Sequence, residues 1–194
     1  MVCYVVLGCF RGGTSAVAGL LRLFGIDMGD KRYYKITSED EEFIKFHKDG
    51  DWEGFEKFVN ELDSKKSVWG YKYPGSKDDF DKIHKLLKSP KYILVYRDPE
   101  AIIRSEVNRN GNDYASTISF VNSQLQKMFE IHERLIEENV EHVVISYEKL
   151  LFEKQKEIEK LAKFCNYEGS LDKAFSFVKR TGYDEKYNNP AEFM

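Results

Sequence analysis

Residues 3–15 read Cys3-Tyr4-Val5-Val6-Leu7-Gly8-Cys9-Phe10-Arg11-Gly12-Gly13-Thr14-Ser15. The first five are almost continuously apolar, as a strand buried on both faces of a parallel sheet requires. A glycine-rich turn follows. From Thr14 to Phe24 the chain is apolar nearly all round, which predicts a helix packed deep against that sheet. Three further β-rich runs lie downstream: Ser67–Tyr71, Tyr92–Tyr96 and His142–Ser146. From Tyr114, apolar residues recur at Ile118, Val121, Leu125, Met128, Phe129, Leu135 and Ile136, predicting a long amphipathic helix with these on one face. Ile158, Leu161, Ala162 and Cys165 predict another. Strands alternating with helices imply βαβ units. The expected fold is therefore a three-layer α/β/α domain around a mainly parallel sheet. Ligands in such folds sit at the carboxyl ends of the strands, so each strand's exit carries the functional question.

The composition agrees with one domain spanning residues 1–194. The chain is 42% hydrophobic and rich in aromatics, with 12 Tyr and 14 Phe, so it is not a disordered polymer. Its net charge of −3 argues against a nucleic-acid coat or a polybasic membrane binder. An anionic ligand must therefore be held by a local cluster. Cys3, Cys9 and Cys165 cannot all pair with one another and show no zinc spacing, so reduced thiols in a cytoplasmic protein and no metal are expected. Val2 to Phe10 is too short to cross a bilayer and lacks the basic flank of a signal peptide.

The turn after the first strand has the outline GxxxxG, followed by Thr14 and Ser15, with Thr14 where a Walker lysine would stand. Anion binding does not need that lysine. Glycines let successive N–H groups face inward, and the helix start adds unpaired donors and a positive dipole end. Hydroxyls of Thr14 and Ser15 add donors, and Arg11 adds full charge. The bland alternative is a glycine-rich turn with Thr14 as helix cap. A second anion-binding element follows the third strand. Arg97-Asp98-Pro99 leaves the strand, and Ser105 lies two turns into the next helix. Arg104 and Arg109 are nearby supplements, sent in different directions by helical geometry.

Arginine before the glycines, Thr-Ser after them, and Arg-Asp-Pro followed by a helical serine resemble the sulfotransferase family, whose donor is 3′-phosphoadenylyl sulfate. The resemblance implies a P-loop NTPase-like topology. It implies that Arg11, Gly12, Gly13, Thr14 and Ser15 hold the 5′-phosphosulfate and that Arg97 and Ser105 grip the 3′-phosphate. Tyr147-Glu148-Lys149-Leu150 resembles the segment whose tyrosine lies near the adenine, and Lys179-Arg180-Thr181-Gly182 a loose version of the basic loop that closes on the 3′-phosphate, through Arg180. Two departures stand out. Gly12 replaces a usual serine, and Phe10 a frequent proline.

Sulfuryl transfer asks little covalent chemistry of the protein, so positioning and charge stabilisation dominate. Arg11 is the expected cation for the departing phosphate. Lys72, in Trp69-Gly70-Tyr71-Lys72-Tyr73-Pro74, resembles the family's lysine and is expected to hold the sulfuryl oxygens. Glu39-Asp40-Glu41-Glu42-Phe43 resembles the segment of carbohydrate-type members whose glutamate faces the acceptor, making Glu39 the expected base. An acidic helix start capped by Ser38 is the plain alternative. His47 is a second candidate base, and His132 reads as a core histidine. Residues 25–66 are expected to form an acceptor-side lid. Tyr33, Tyr34, Phe43, Phe46, Trp52 and Phe55 are offered either to stack on a sugar or to lie in the core. The expected partner is a small-molecule, sugar or other hydroxyl- or amine-bearing acceptor. Competing readings are a P-loop kinase of small metabolites, disfavoured by the absent Walker lysine, and a non-catalytic nucleotide-binding domain.

Overall fold

The computed structural model describes residues 1–29, 39–180 and 182–183. Four strands, β1 (Val2–Gly8), β2 (Val68–Lys72), β3 (Pro90–Tyr96) and β4 (His142–Ser146), form an all-parallel sheet in the order β2-β1-β3-β4. A short antiparallel pair, β5 (Val178–Lys179) and β6 (Gly182–Tyr183), lies apart from it. Every strand expected from the sequence is present, displaced at its ends by two residues at most.

Helices cover both faces, because the strands are apolar on both. Tyr4, Val6, Ile93 and Val95 point to one face, where they meet α1 (Thr14–Leu23), α8 (Lys154–Phe164) and α9 (Asp172–Phe177). Cys3, Val5, Leu7, Tyr92 and Leu94 point to the other. There they meet α2 (Glu41–Asp49), α3 (Trp52–Lys65), α4 (Phe80–Leu86), α5 (Pro99–Asn110) and α6 (Tyr114–Glu137). The remaining helix, α7 (Tyr147–Phe152), starts directly at the end of β4. The result is the three-layer α/β/α architecture.

Two local expectations need correction. The buried face of α6 is Thr117, Val121, Gln124, Met128, Ile131 and Leu135, at strict spacings of four and three. Phe129 and Ile136 are both 60% exposed, and Ile118 is exposed too. The expected Val121, Met128 and Leu135 lie on it, but hydropathy passed over Thr117 and Gln124 because they are polar. Thr117 can be buried because its hydroxyl donates to the Asp113 carbonyl at 2.8 Å. At the acidic helix, α2 is capped by Asp40, whose carboxylate accepts from Glu42 N–H at 3.0 Å. Ser38 lies outside the described residues, as do Tyr33 and Tyr34. Among the other aromatics of this region, Phe43 and Phe55 are fully in the core. Phe43 stacks on Tyr71 with centroids 4.4 Å apart, and Phe46 and Trp52 pack against the same cluster.

Candidate active site

Strand register decides which residues meet. Gly8 lies beside Val95, Val6 beside Lys72, and Tyr96 beside Ser146. All four strands run in one direction, so their carboxyl ends open on one edge. The exits deliver Phe10 and Arg11 from β1, Lys72 from β2, Arg97 from β3 and Tyr147 from β4. The sheet order also places β1 and β3 side by side while their connections leave in opposite directions. That junction is where an open α/β sheet forms its crevice.

The turn between β1 and α1 is tightly specified. Gly12 N–H donates to the Cys9 carbonyl at 2.9 Å. Arg11 takes a left-handed φ of 60° and Gly13 one of 88°. The arginine is held in a conformation that side chains rarely adopt, which costs of order 1–2 kcal/mol. A Cβ at Gly13 would come within 2.2 Å of the Tyr147 ring. The tyrosine therefore lies directly on the turn, and only glycine fits beneath it. Burial raises the Tyr147 pKa.

Arg97 bridges the turn after β1 and the exit of β3. Its Nη1 donates to the Arg11 carbonyl at 2.7 Å, and its guanidinium carbon sits 5.0 Å from the Tyr147 ring centroid. Its Nε is buried and has no hydrogen-bond partner among the described residues. Arg11 in turn donates through Nε to the Ser105 hydroxyl at 2.9 Å. Its guanidinium therefore faces the Arg97–Ser105 side of the cleft. Among the described residues Asp98 makes no ion pair with Arg97; its carboxylate caps α5 by accepting from Ala101 N–H at 2.8 Å. The Asp98 N–H donates to Glu148 at 3.0 Å, which ties the exit of β3 to the start of α7.

Below the turn lies a buried ion pair. Lys72 Nζ is 2.6 Å from Glu39 Oε1 and 3.1 Å from the Ser15 hydroxyl. The lysine side chain is 1% exposed and that of Glu39 12%. Burial pulls Lys72 below the ordinary lysine range, and the Glu39 carboxylate opposes that shift. The ammonium thus reaches the first turn of α1 from the neighbouring strand and supplies a cation where position 14 has threonine.

One cleft is lined by Arg11, Gly13, Thr14, Ser15, Glu39, Lys72, Arg97 and Tyr147, with Phe10, Pro74 and Arg109 at its borders. Gly12 is buried beneath it, and Ser105 reaches it through Arg11. Arg180 is exposed and does not line the cleft. His47, the second candidate base, lies elsewhere. Its ring is buried, with Nδ1 at 3.1 Å from Asp79 and Nε2 at 3.3 Å from the Ser76 hydroxyl. His132 is partly buried near Tyr96 and His142. Of the two supplementary arginines, Arg109 faces the cleft while Arg104 pairs with Glu100 on the exposed side of α5. The role of Glu148 was missed. Its position beside Tyr147 was readable, but a carboxylate holding a distant main-chain N–H leaves no spacing signal.

Among the described residues no three His, Cys, Asp or Glu side chains are grouped to hold a metal, and no helix is long and apolar enough to cross a membrane.

The sequence matches the model of the sulfotransferase family over residues 34–171, well over half of the chain. The chain belongs to the sulfotransferase family. No curated protein matches it. Similar solved structures include the sulfotransferase domain of the Synechococcus PCC 7002 olefin synthase, at 13% identity and a TM-score of 0.63, covering 99% of this chain and 82% of that one. The sulfotransferase domain of the curacin biosynthetic pathway is 13% identical with a TM-score of 0.61, covering 88% and 76%. Shikimate kinase from Bacteroides thetaiotaomicron is 14% identical with a TM-score of 0.54, covering 85% and 98%. At these identities the neighbours speak for the fold, which sulfotransferases and kinases share.

Proposed function

We propose that this sulfotransferase-family protein moves a sulfuryl group from 3′-phosphoadenylyl sulfate to a hydroxyl or amine of a small acceptor. The observation that carries the reading is the Arg97 guanidinium on the Arg11 carbonyl. It joins the two anion-binding turns in one cleft, within reach of a nucleotide phosphorylated on both sides of its ribose. The orphaned Arg97 Nε fits an incoming phosphate oxygen.

Arg97 and Ser105 would hold the 3′-phosphate, with Arg11 between them and the turn. Gly12, Gly13, Thr14 and Ser15 would cradle the 5′-phosphate with main-chain N–H groups and hydroxyls. Tyr147 offers its ring beside the base. Arg180 is retained as a closing contact from outside the cleft.

Transfer is an in-line displacement. The acceptor oxygen forms a bond to sulfur as the bond from sulfur to the 5′-phosphate oxygen breaks. The acceptor proton passes to Glu39. Lys72 holds the sulfuryl oxygens and offsets charge on the departing phosphate, together with Arg11 once its guanidinium turns from Ser105. Lys72 and Glu39 keep each other oriented before substrate arrives. The segment 25–66, which supplies Glu39, is proposed as the acceptor-side wall.

Calorimetric titration tests this. Adenosine 3′,5′-bisphosphate should bind without magnesium, and ATP should not. Magnesium-dependent ATP binding would favour a metabolite kinase. Bisphosphate binding with no sulfated product from any acceptor would favour a non-catalytic nucleotide-binding domain.

A further inference from the structure

A second cavity of about 340 Å³ adjoins the first and shares Phe10, Arg11, Glu39 and Arg109 with it. What it adds is Glu106, Asn110 and Phe120. Its size suits a small ligand. We propose that this cavity is the acceptor subsite and that it selects an uncharged polyhydroxylated molecule, a saccharide rather than a simple alcohol, an amine or an anion. The proposal rests on the sulfuryl-transfer reading, because the acceptor must sit beside a donor held in the neighbouring cleft.

Glu106 is the residue that decides the class. It is only 6% exposed, on the buried side of α5. Asn110 Nδ2 donates to its Oε2 at 2.6 Å. Its Oε1 accepts no hydrogen bond among the described residues. That oxygen is not shut off from solvent, so in the cavity it can accept from a ligand hydroxyl in place of water. Glu39, on the shared wall, is reserved for the hydroxyl that reacts. The acceptor therefore needs a second hydroxyl for Glu106. A molecule with one hydroxyl satisfies only one of the two, and sites built to hydrogen-bond a hydroxyl reject analogues that lack it.

The rest of the cavity sets charge and shape. Phe10 and Phe120, with ring centroids 6.3 Å apart and planes tilted by 32°, form one apolar wall. Such a wall suits the C–H face of a sugar ring. The guanidinium groups of Arg11 and Arg109 balance the carboxylates of Glu39 and Glu106, so a charged acceptor would unbalance the cavity. A neutral acceptor leaves that balance intact.

The test uses the full chain and four probes: methyl β-D-glucopyranoside, cyclohexanol, glucosamine and glucuronate. Adenosine 3′,5′-bisphosphate is titrated first, and failure to bind it would overturn the sulfuryl-transfer reading and this proposal with it. On bisphosphate-loaded protein, ligand-observed NMR should show the glucopyranoside held at least about tenfold more tightly than the other three. Glu106→Ala should weaken the glucopyranoside by about tenfold and leave bisphosphate affinity unchanged. Glu106→Gln should recover part of the loss, because the carboxamide oxygen still accepts. Phe120→Ala, at a position 43% exposed and outside the core, should give a comparable loss without unfolding. If the bisphosphate binds but the glucopyranoside does not, or is held no better than cyclohexanol or the charged sugars, the proposal is wrong while the donor assignment stands. Unchanged sugar affinity in both Glu106→Ala and Phe120→Ala would overturn it equally.

Discussion

Arg97 donates through Nη1 to the main-chain carbonyl of Arg11 at 2.7 Å, and Arg11 donates through Nε to Ser105 at 2.9 Å. Two like-charged side chains are thus tied together by neutral acceptors, without a carboxylate between them. The contact follows from register. Gly8 and Val95 are neighbours across β1 and β3, so the segments that follow leave the sheet side by side. The same contact holds Arg11 in its left-handed conformation and fixes the curl of the turn. A strand end, a strained residue and a helical serine form one unit, and an anion bound there would meet two guanidinium groups already brought together.

Replacement of Arg97 by alanine should weaken adenosine 3′,5′-bisphosphate binding by about 2 kcal/mol or more, as the loss of a charge-assisted contact predicts. Arg97→Lys should restore only part of this, because an ammonium cannot hold the Arg11 carbonyl and a phosphate in one planar fork. Calorimetry reads both. Unchanged affinity in Arg97→Ala would remove Arg97 from the donor site.

The Lys72–Glu39 pair makes a prediction that separates stability from turnover. Lys72→Met leaves a mostly buried carboxylate without its cation, and Glu39→Gln leaves a buried ammonium without its anion. Each single change should lower stability, by up to about 3 kcal/mol. The double variant should lose much less than the sum, since two neutral side chains need no partner. Urea midpoints measure this. Turnover should be lost in all three, with bisphosphate affinity reduced far less than turnover. A double variant that recovers activity along with stability would show the pair to be structural only.

The strand exits were legible because their chemistry is local. A continuous apolar run followed by glycine or Arg-Asp-Pro carries its meaning within a dozen residues. Lys72 was singled out by the resemblance of the segment that contains it, Trp69 to Pro74. Its pairing with Glu39 was not, because 33 positions separate the two and only the path of the chain joins them. The buried face of α6 was misread because Thr117 and Gln124 occupy core positions while Phe129 and Ile136 face outward. His47 was drawn toward the site by its nearness to Glu39 in sequence, yet nearly two turns of α2 carry it to Asp79. Helical phase, not residue type, decides such cases, and a single sequence fixes phase poorly where polar residues are buried.

At Gly13 a methyl group meets two obstacles. The φ of 88° disfavours any Cβ, and the Tyr147 ring would lie 2.2 Å away. Gly13→Ala should therefore cost about 2 kcal/mol or more of stability, read from thermal or urea unfolding. The tyrosine can yield only by leaving Arg97, whose guanidinium carbon rests 5.0 Å from its centroid. Bisphosphate affinity should fall in the same variant. Gly25→Ala is the control. It is also left-handed, at 78°, but no atom lies within 4 Å of its Cβ. It should lose only the backbone part of the stability and none of the bisphosphate affinity.

His47 predicts a pH dependence of stability with a definite sign. Burial lowers its pKa from 6.5, while the Asp79 carboxylate at 3.1 Å opposes that shift without cancelling it. The neutral ring accounts for both contacts, with Nδ1–H donating to Asp79 and Nε2 accepting from the Ser76 hydroxyl. Below 6.5 the unfolded chain takes up a proton at His47 before the folded chain does. Stability therefore rises with pH across that window and is lost as pH falls from 6.5 toward the folded value. His47→Gln, which keeps a donor and an acceptor but cannot ionise, should remove this component. Urea midpoints of the two proteins, compared at about pH 7.5 and about pH 5.5, should show the smaller acid loss in the variant. An equal or larger loss in His47→Gln would mean that His47 is already protonated in the folded protein and pairs with Asp79 as a cation.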